Sequence, residues 1–263
     1  MDDQHSGRVW AAINAVARQH DAPVSVLHAV IACARELAAL GAGLSMNRDG
    51  QPREPVLATG PRAEQLEELQ FTLGEGPCSD TVVQHGPILV SDLTAPEAEV
   101  RWPAFAPAAA GQGARGMFCF PVAAGAAQLG VLDLYRSAPG PLERHELLQA
   151  LLFADAVLVL ALDERGGLHP DLERVIDGAF ASRRAEVHQA TGMVAVDLGV
   201  DITDALTALR AHAYATGRRL NDVAADILAG RLRLGGGPGP ARGRRPSRPP
   251  PRDGQSPPPD TDQ

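Results

Sequence analysis

Apolar positions in the first 165 residues change period several times. After Pro23, Val26, Leu27, Val30, Ile31, Ala34 and Leu37 recur at three- and four-residue spacing, which predicts an amphipathic helix ending near Gly41. Ala42, Leu44 and Met46 then alternate with small or polar residues, the two-residue period of a half-buried strand. The turn signal NRDGQP leads into a second short strand around PVLA. A short helix is expected over 61–70, and PILVSD (87–92) predicts a third strand. ARGMFCFPV and AQLGVLDLY predict a strand pair joined around Gly125, and Leu142 to Leu162 a long closing helix, apolar on most sides. Strands in consecutive pairs, with helices before, between and after, predict an α+β domain around an antiparallel sheet.

Beyond the Gly/Pro break GGLHP (166–170) the pattern is helical only. A first helix is expected from about Asp171 to Leu198, with apolar positions Leu172, Ile176, Ala179, Phe180, Val187, Ala190 and Val194. Its first half is nearly heptad-like but broken by Arg183, so a dimeric coiled coil and a simple packed helix both fit. Asp201 caps a second helix that runs through Ala205, Leu206, Leu209 and Ala213 to Gly217. A third starts near Leu220 or Asn221 and offers Val223, Ala224, Ile227 and Leu228 to a core. Short turns between the three predict a small bundle. Gly192 inside the first helix costs about 0.5–1 kcal/mol relative to alanine. With Ala190 and Ala195 it forms a run of small residues, which predicts close approach of another helix there.

The expected organisation is therefore an α+β domain over 1–165, a linker over 166–170, an all-α bundle over 171–234 and a tail over 235–263. The tail holds 9 Pro and 6 Gly without apolar periodicity, so it is expected to be disordered.

Charge separates the parts further. The net charge of −8 divides into −9 over 1–168, −1 over 169–234 and +2 over 235–263. A polyanion would thus be met in the C-terminal part, although near-neutrality there makes charge a weak argument alone. Every basic residue is arginine.

Cys33, Cys78 and Cys119 are odd in number and lack metal-ligand spacing, which predicts reduced thiols and no metal site. No signal pattern opens the chain, and its most apolar stretch, 147–162, is short for a bilayer and contains Asp155. A soluble cytoplasmic protein without membrane attachment is expected.

Candidate chemistry is sparse. No phosphate-binding loop, kinase signature or pair of catalytic carboxylates is present, so no catalytic residue and no cofactor is assigned. Cys78 follows Pro77 at a predicted helix start, where a thiolate would be stabilised, so Cys78 and Cys119 are candidate redox sensors. Both equally suit small buried hydrophobes. His85 fits either a haem ligand or a solvated turn residue. Asp133, set among apolar strand residues, needs a partner if buried or else faces a ligand pocket.

Two stretches carry family resemblances. LGEGPCSDTVVQHGPILVSDL, RWPAFAPAA and FCFPVAAGAAQLGVLDLYRSAPGPL resemble the GAF domains of actinobacterial regulators, over most of residues 8–165. That likeness implies a central antiparallel sheet flanked by helices, used to sense varied small molecules. HQATGMVAVDLGVDITDALTALRAHAYATGRRLNDVAADIL resembles the ANTAR domain, over roughly 175–230. It implies a three-helix module that binds paired RNA hairpins in nascent transcripts and so blocks a terminator hairpin.

The second likeness makes Gln189, Thr191, Gly192, Arg210, Arg218 and Arg219 the candidate RNA contacts. Many family members have lysine where this chain has Thr191. The implied protein is a signal-responsive antitermination regulator, and the apolar surface of the 171–190 helix, with that of the 142–162 helix as a second contact, predicts a homodimer. Two alternatives are a redox or small-molecule sensor acting through protein contacts and a cysteine-based GAF methionine sulfoxide reductase.

Overall fold

The computed structural model describes residues 2–48, 51–165 and 179–234. Helices α1 (Asp2–Gln19) and α2 (Val26–Glu36) lead into strands β1 (Gly41–Arg48) and β2 (Gln51–Ala58). Helices α3 (Pro61–Leu73) and α4 (Pro77–Gln84) precede the short β3 (Ile88–Val90). Two further short helices, α5 (Pro96–Arg101) and α6 (Phe105–Gly111), lead to β4 (Gly116–Ala124), β5 (Ala127–Arg136) and α7 (Arg144–Arg165). The strands form one sheet in the order β2-β1-β5-β4-β3, with every neighbouring pair antiparallel.

Both faces of the sheet are covered, which explains the near-continuous apolar runs in its central strands. Phe118, Phe120 and Val122 of β4 pack with Leu132 and Leu134 of β5 against α1, α2 and α7. The alternate residues Met117, Cys119, Val131 and Tyr135 turn to the other face, against α3 to α6. β1 departs from the half-buried strand expected of it, because Ser45 is buried as well as Ala42, Leu44 and Met46. The helix α1 has no counterpart in the sequence reading, although Val9, Ile13, Val16 and Ala17 carry its inward face at helical spacing.

The C-terminal part holds α8 (Ala179–Leu198), α9 (Ile202–Thr216) and α10 (Leu220–Leu228). The expected cap is present: Asp201 accepts a hydrogen bond from the Asp204 amide at 2.9 Å. Gly217 ends α9 in the left-handed conformation at φ 62. Val187, Ala190, Val194, Leu206, Leu209, Val223 and Ile227 form the bundle's core. The linker expected at 166–170, the helical start with Leu172 and Ile176, and the tail expected at 235–263 lie outside the described residues.

Candidate nucleic-acid interface and sensor cavity

On the α3 side of the sheet lies a buried polar cluster. Glu67 accepts hydrogen bonds from the Tyr135 hydroxyl at 2.8 Å and the Ser45 hydroxyl at 3.0 Å. The Gln70 amide donates to Tyr135 at 3.1 Å and to Asp133 at 3.4 Å, and its oxygen accepts the Cys78 amide at 3.0 Å. Gly43 makes room for this arrangement, since a Cβ there would overlap the Glu67 carboxyl. Asp133, fully buried, thus faces partners within the cluster.

Burial, followed by the Asp133 charge, pushes the Glu67 carboxyl well above the usual range. Beside the Asp133 carboxyl, Glu67 therefore favours its protonated form. Burial, reinforced mainly by Glu67, raises the Tyr135 hydroxyl in turn.

A cavity of about 210 Å3 opens from this cluster, lined by Ser45, Glu67, Gln70 and Cys78. Phe71, Gly74 and Arg210 also line it, and Arg210 belongs to the C-terminal bundle. Cys78 and Cys119 are both buried. Burial, with Asp133 next, pushes the Cys119 thiol up, so Cys119 offers no reactive thiolate. His85 is exposed and ends α4 at φ 52. Among the described residues no cluster of His, Cys, Asp and Glu is suited to a metal ion.

The candidate RNA contacts separate into two groups. Gln189, Arg218 and Arg219 are exposed. Arg218 reaches Asp226 at 2.6 Å and the Asp222 carbonyl at 3.2 Å, while Arg219 stands at the N-cap of α10. Thr191 is corrected by the structure: it is 2% exposed and its hydroxyl donates to the Val187 carbonyl at 2.7 Å, so it faces the bundle core. Arg210 also leaves the expected basic cluster. It is half-buried, with its guanidinium 5.1 Å from the Phe71 ring centroid. Tyr214, 63% exposed on α9, was not singled out from sequence because a lone tyrosine carries no periodic signal. An exposed ring there can stack an unpaired base.

Gly192 is not the helix contact expected of it. A Cβ built there meets nothing within 4 Å, whereas Ala190 and Ala195 are the buried small residues. Gly192→Ala is therefore expected to stabilise the protein by up to about 1 kcal/mol, since only the helix cost of glycine is removed. Thermal melting checks this; a lower melting temperature would restore the packing role.

The two parts meet along a seam built from residues far apart in the chain. α8 packs against β2, and α9 against α3. His188 pairs with Glu54, which is 1% exposed on β2. The Asn221 amide donates to Glu68 on α3 at 3.0 Å. Phe71, from α3, is buried in the apolar core of the bundle. A cleft of about 810 Å3 runs beside these contacts, with Glu64 and Glu68 on one wall and Arg218 and Arg219 on the other.

A five-stranded sheet with a helix-covered cavity, coupled to a three-helix module, defines a sensor-and-output class of protein. The chain belongs to the GAF domain family, which matches residues 20–160, and it carries an ANTAR domain over residues 179–228. The pairing of a GAF sensor with an RNA-binding ANTAR domain is that of signal-regulated antitermination regulators. Solved structures similar to the chain include the GAF domain of a phosphoenolpyruvate-protein phosphotransferase from Coxiella burnetii, at 15% identity and TM-score 0.46 over 62% of this chain and 99% of that one. Another is the free methionine-R-sulfoxide reductase from Neisseria meningitidis in complex with its substrate, at 14% identity and TM-score 0.40 over 63% and 88%. No curated protein matches the chain.

Proposed function

We propose that the chain is a cytoplasmic antitermination regulator whose GAF domain senses a small molecule in the cavity and whose ANTAR domain binds hairpins in nascent transcripts. The observation that carries this reading is the ordered pair of domain matches, with Gln189, Arg218 and Arg219 exposed on the second. The arginines supply phosphate contacts, Gln189 and Tyr214 meet unpaired loop bases, and Gly192 leaves the α8 surface open for a close-lying backbone. The buried, raised Cys119 thiol weighs against a redox role for Cys119.

The full chain is expected to bind hairpins from its own leader transcript more tightly than duplex DNA of equal length. Arg219→Ala should weaken RNA binding and lower its salt slope by about one. Equal affinity for both polymers, measured by electrophoretic mobility, would count against the reading.

The regulator acts as a homodimer in this proposal. Leu148, Val159 and Leu162 are exposed along one stripe of α7, at spacing that suits a partner helix. Among the described residues α7 is the single helix long and apolar enough to cross a membrane, but its inner face, with Phe153 and Val157, is buried in the GAF core. Light scattering is expected to give a dimer at tens of micromolar, and a monomer there would remove this part of the proposal.

A further inference from the structure

Three ANTAR side chains are engaged by the GAF domain, and two GAF elements hold them. Arg210 lies over Phe71 and completes the GAF cavity; a Cβ at Gly74 would stand 3.1 Å from its guanidinium. Asn221 is held by Glu68 and His188 by Glu54. Arg218 and Arg219 face Glu64 and Glu68 across the seam cleft. An RNA phosphate entering this cleft to reach these arginines would meet the α3 carboxylates as well, and like charges repel.

We propose that helix α3 is an internal competitor for RNA: it holds the ANTAR domain closed, and the cavity is the lever because Arg210 forms part of its wall. This rests on the RNA-binding reading of Arg210, Arg218 and Arg219. In the docked arrangement Arg210 is committed to Phe71 and the cavity, and Arg218 and Arg219, although exposed, open onto a cleft whose other wall is the acidic side of α3. Filling the cavity displaces Arg210, removes one of the seam's holds and shifts the population toward a released ANTAR domain. The seam suits such a switch, being made of two polar pairs and one inserted phenylalanine, a contact of the kind that lets domains move. Only the released fraction binds RNA, so apparent affinity is reduced by that fraction.

The test uses the full chain and three substitutions on the GAF side, which leave every ANTAR residue in place. Glu68→Ala removes the Asn221 hold and one carboxylate. Ser79→Trp fills the cavity from its own wall, which Ser79 and Arg210 both line. Phe71→Ser removes the inserted ring and serves as a second release variant. The probe is a pool of two-hairpin RNAs with randomised loops, and hydrogen exchange is followed over 61–73 and 202–216.

Glu68→Ala and Ser79→Trp are each expected to bind RNA about tenfold tighter than the parent chain, within the usual range of a coupling between sites. Both should also exchange faster across the seam. In the parent chain, RNA itself should speed exchange over 61–73. Affinities no tighter than the parent's in folded variants, or RNA bound without any change over 61–73, would overturn the competition while leaving RNA binding intact. Faster seam exchange in the variants with no RNA bound by any chain would overturn the RNA reading itself, and the competition with it.

Discussion

Glu67→Leu is expected to lower the stability of the full chain by about 3 kcal/mol or more. The Tyr135 and Ser45 hydroxyls and the Asp133 carboxyl would each lose a partner in a buried site, at about 1–3 kcal/mol apiece. Glu67→Gln is the informative companion, because it keeps the shape and removes the titration. The folded protein holds the Glu67 proton more tightly than the unfolded chain does. Stability from this group is therefore complete below the ordinary glutamate value of 4.5 and is lost as pH rises through the higher folded value. Melting temperature measured from pH 5 to 9 should fall less steeply in Glu67→Gln than in the parent chain. Parallel slopes would show that the carboxyl pair holds no proton in this range.

Leu209→Ala is expected to cost about 2–5 kcal/mol, the range for emptying a leucine site in a packed core. Leu209 is fully buried, in a cluster with Val187, Ala190, Ala213 and Ile227. Domain stabilities are themselves only about 5–15 kcal/mol, and a small bundle sits at the low end. The variant should therefore lose a large share of the ANTAR domain's stability, and with it hairpin binding, while the sheet domain keeps its own transition. Calorimetry with a parallel RNA titration checks both; unchanged affinity together with an unshifted melting profile would show that this core is not what holds the bundle.

Much of the fold was legible because its signals are local. The Asp201 cap, the Gly217 stop and the spacing of Leu206, Leu209 and Ala213 each depend on neighbours within one or two turns. The strand pair around Gly125 is a hairpin, and hairpins declare themselves in the same way. Burial on both faces was missed at β1, because glycine and serine at 43 and 45 look like solvent-facing positions until α3 covers them.

The candidate site was less legible, and for a different reason. Family resemblance selected positions on helices but could not say which way each one points. Thr191 turns inward to satisfy its hydroxyl on its own helix, and Arg210 turns toward an aromatic ring contributed from about 140 positions away. Gly192 misled in the opposite direction. Small residues on both sides suggested contact, yet the buried ones are the two alanines. The Glu67–Asp133 pair joins a helix to a strand 66 positions later, and no spacing rule reaches that far.

β2 is an outer strand of the sheet, and α8 packs against it. Moving the ANTAR domain away therefore does more than free its arginines; it lays bare a sheet margin. Bare margins offer rows of unused amides and carbonyls on which another chain can add a strand, a recurrent route to aggregation. This one is poorly suited to that use. Pro52 and Pro55 remove two amide donors from the eight residues of β2. If the ANTAR domain is released as proposed, the strand it uncovers carries prolines that discourage the next molecule from pairing there.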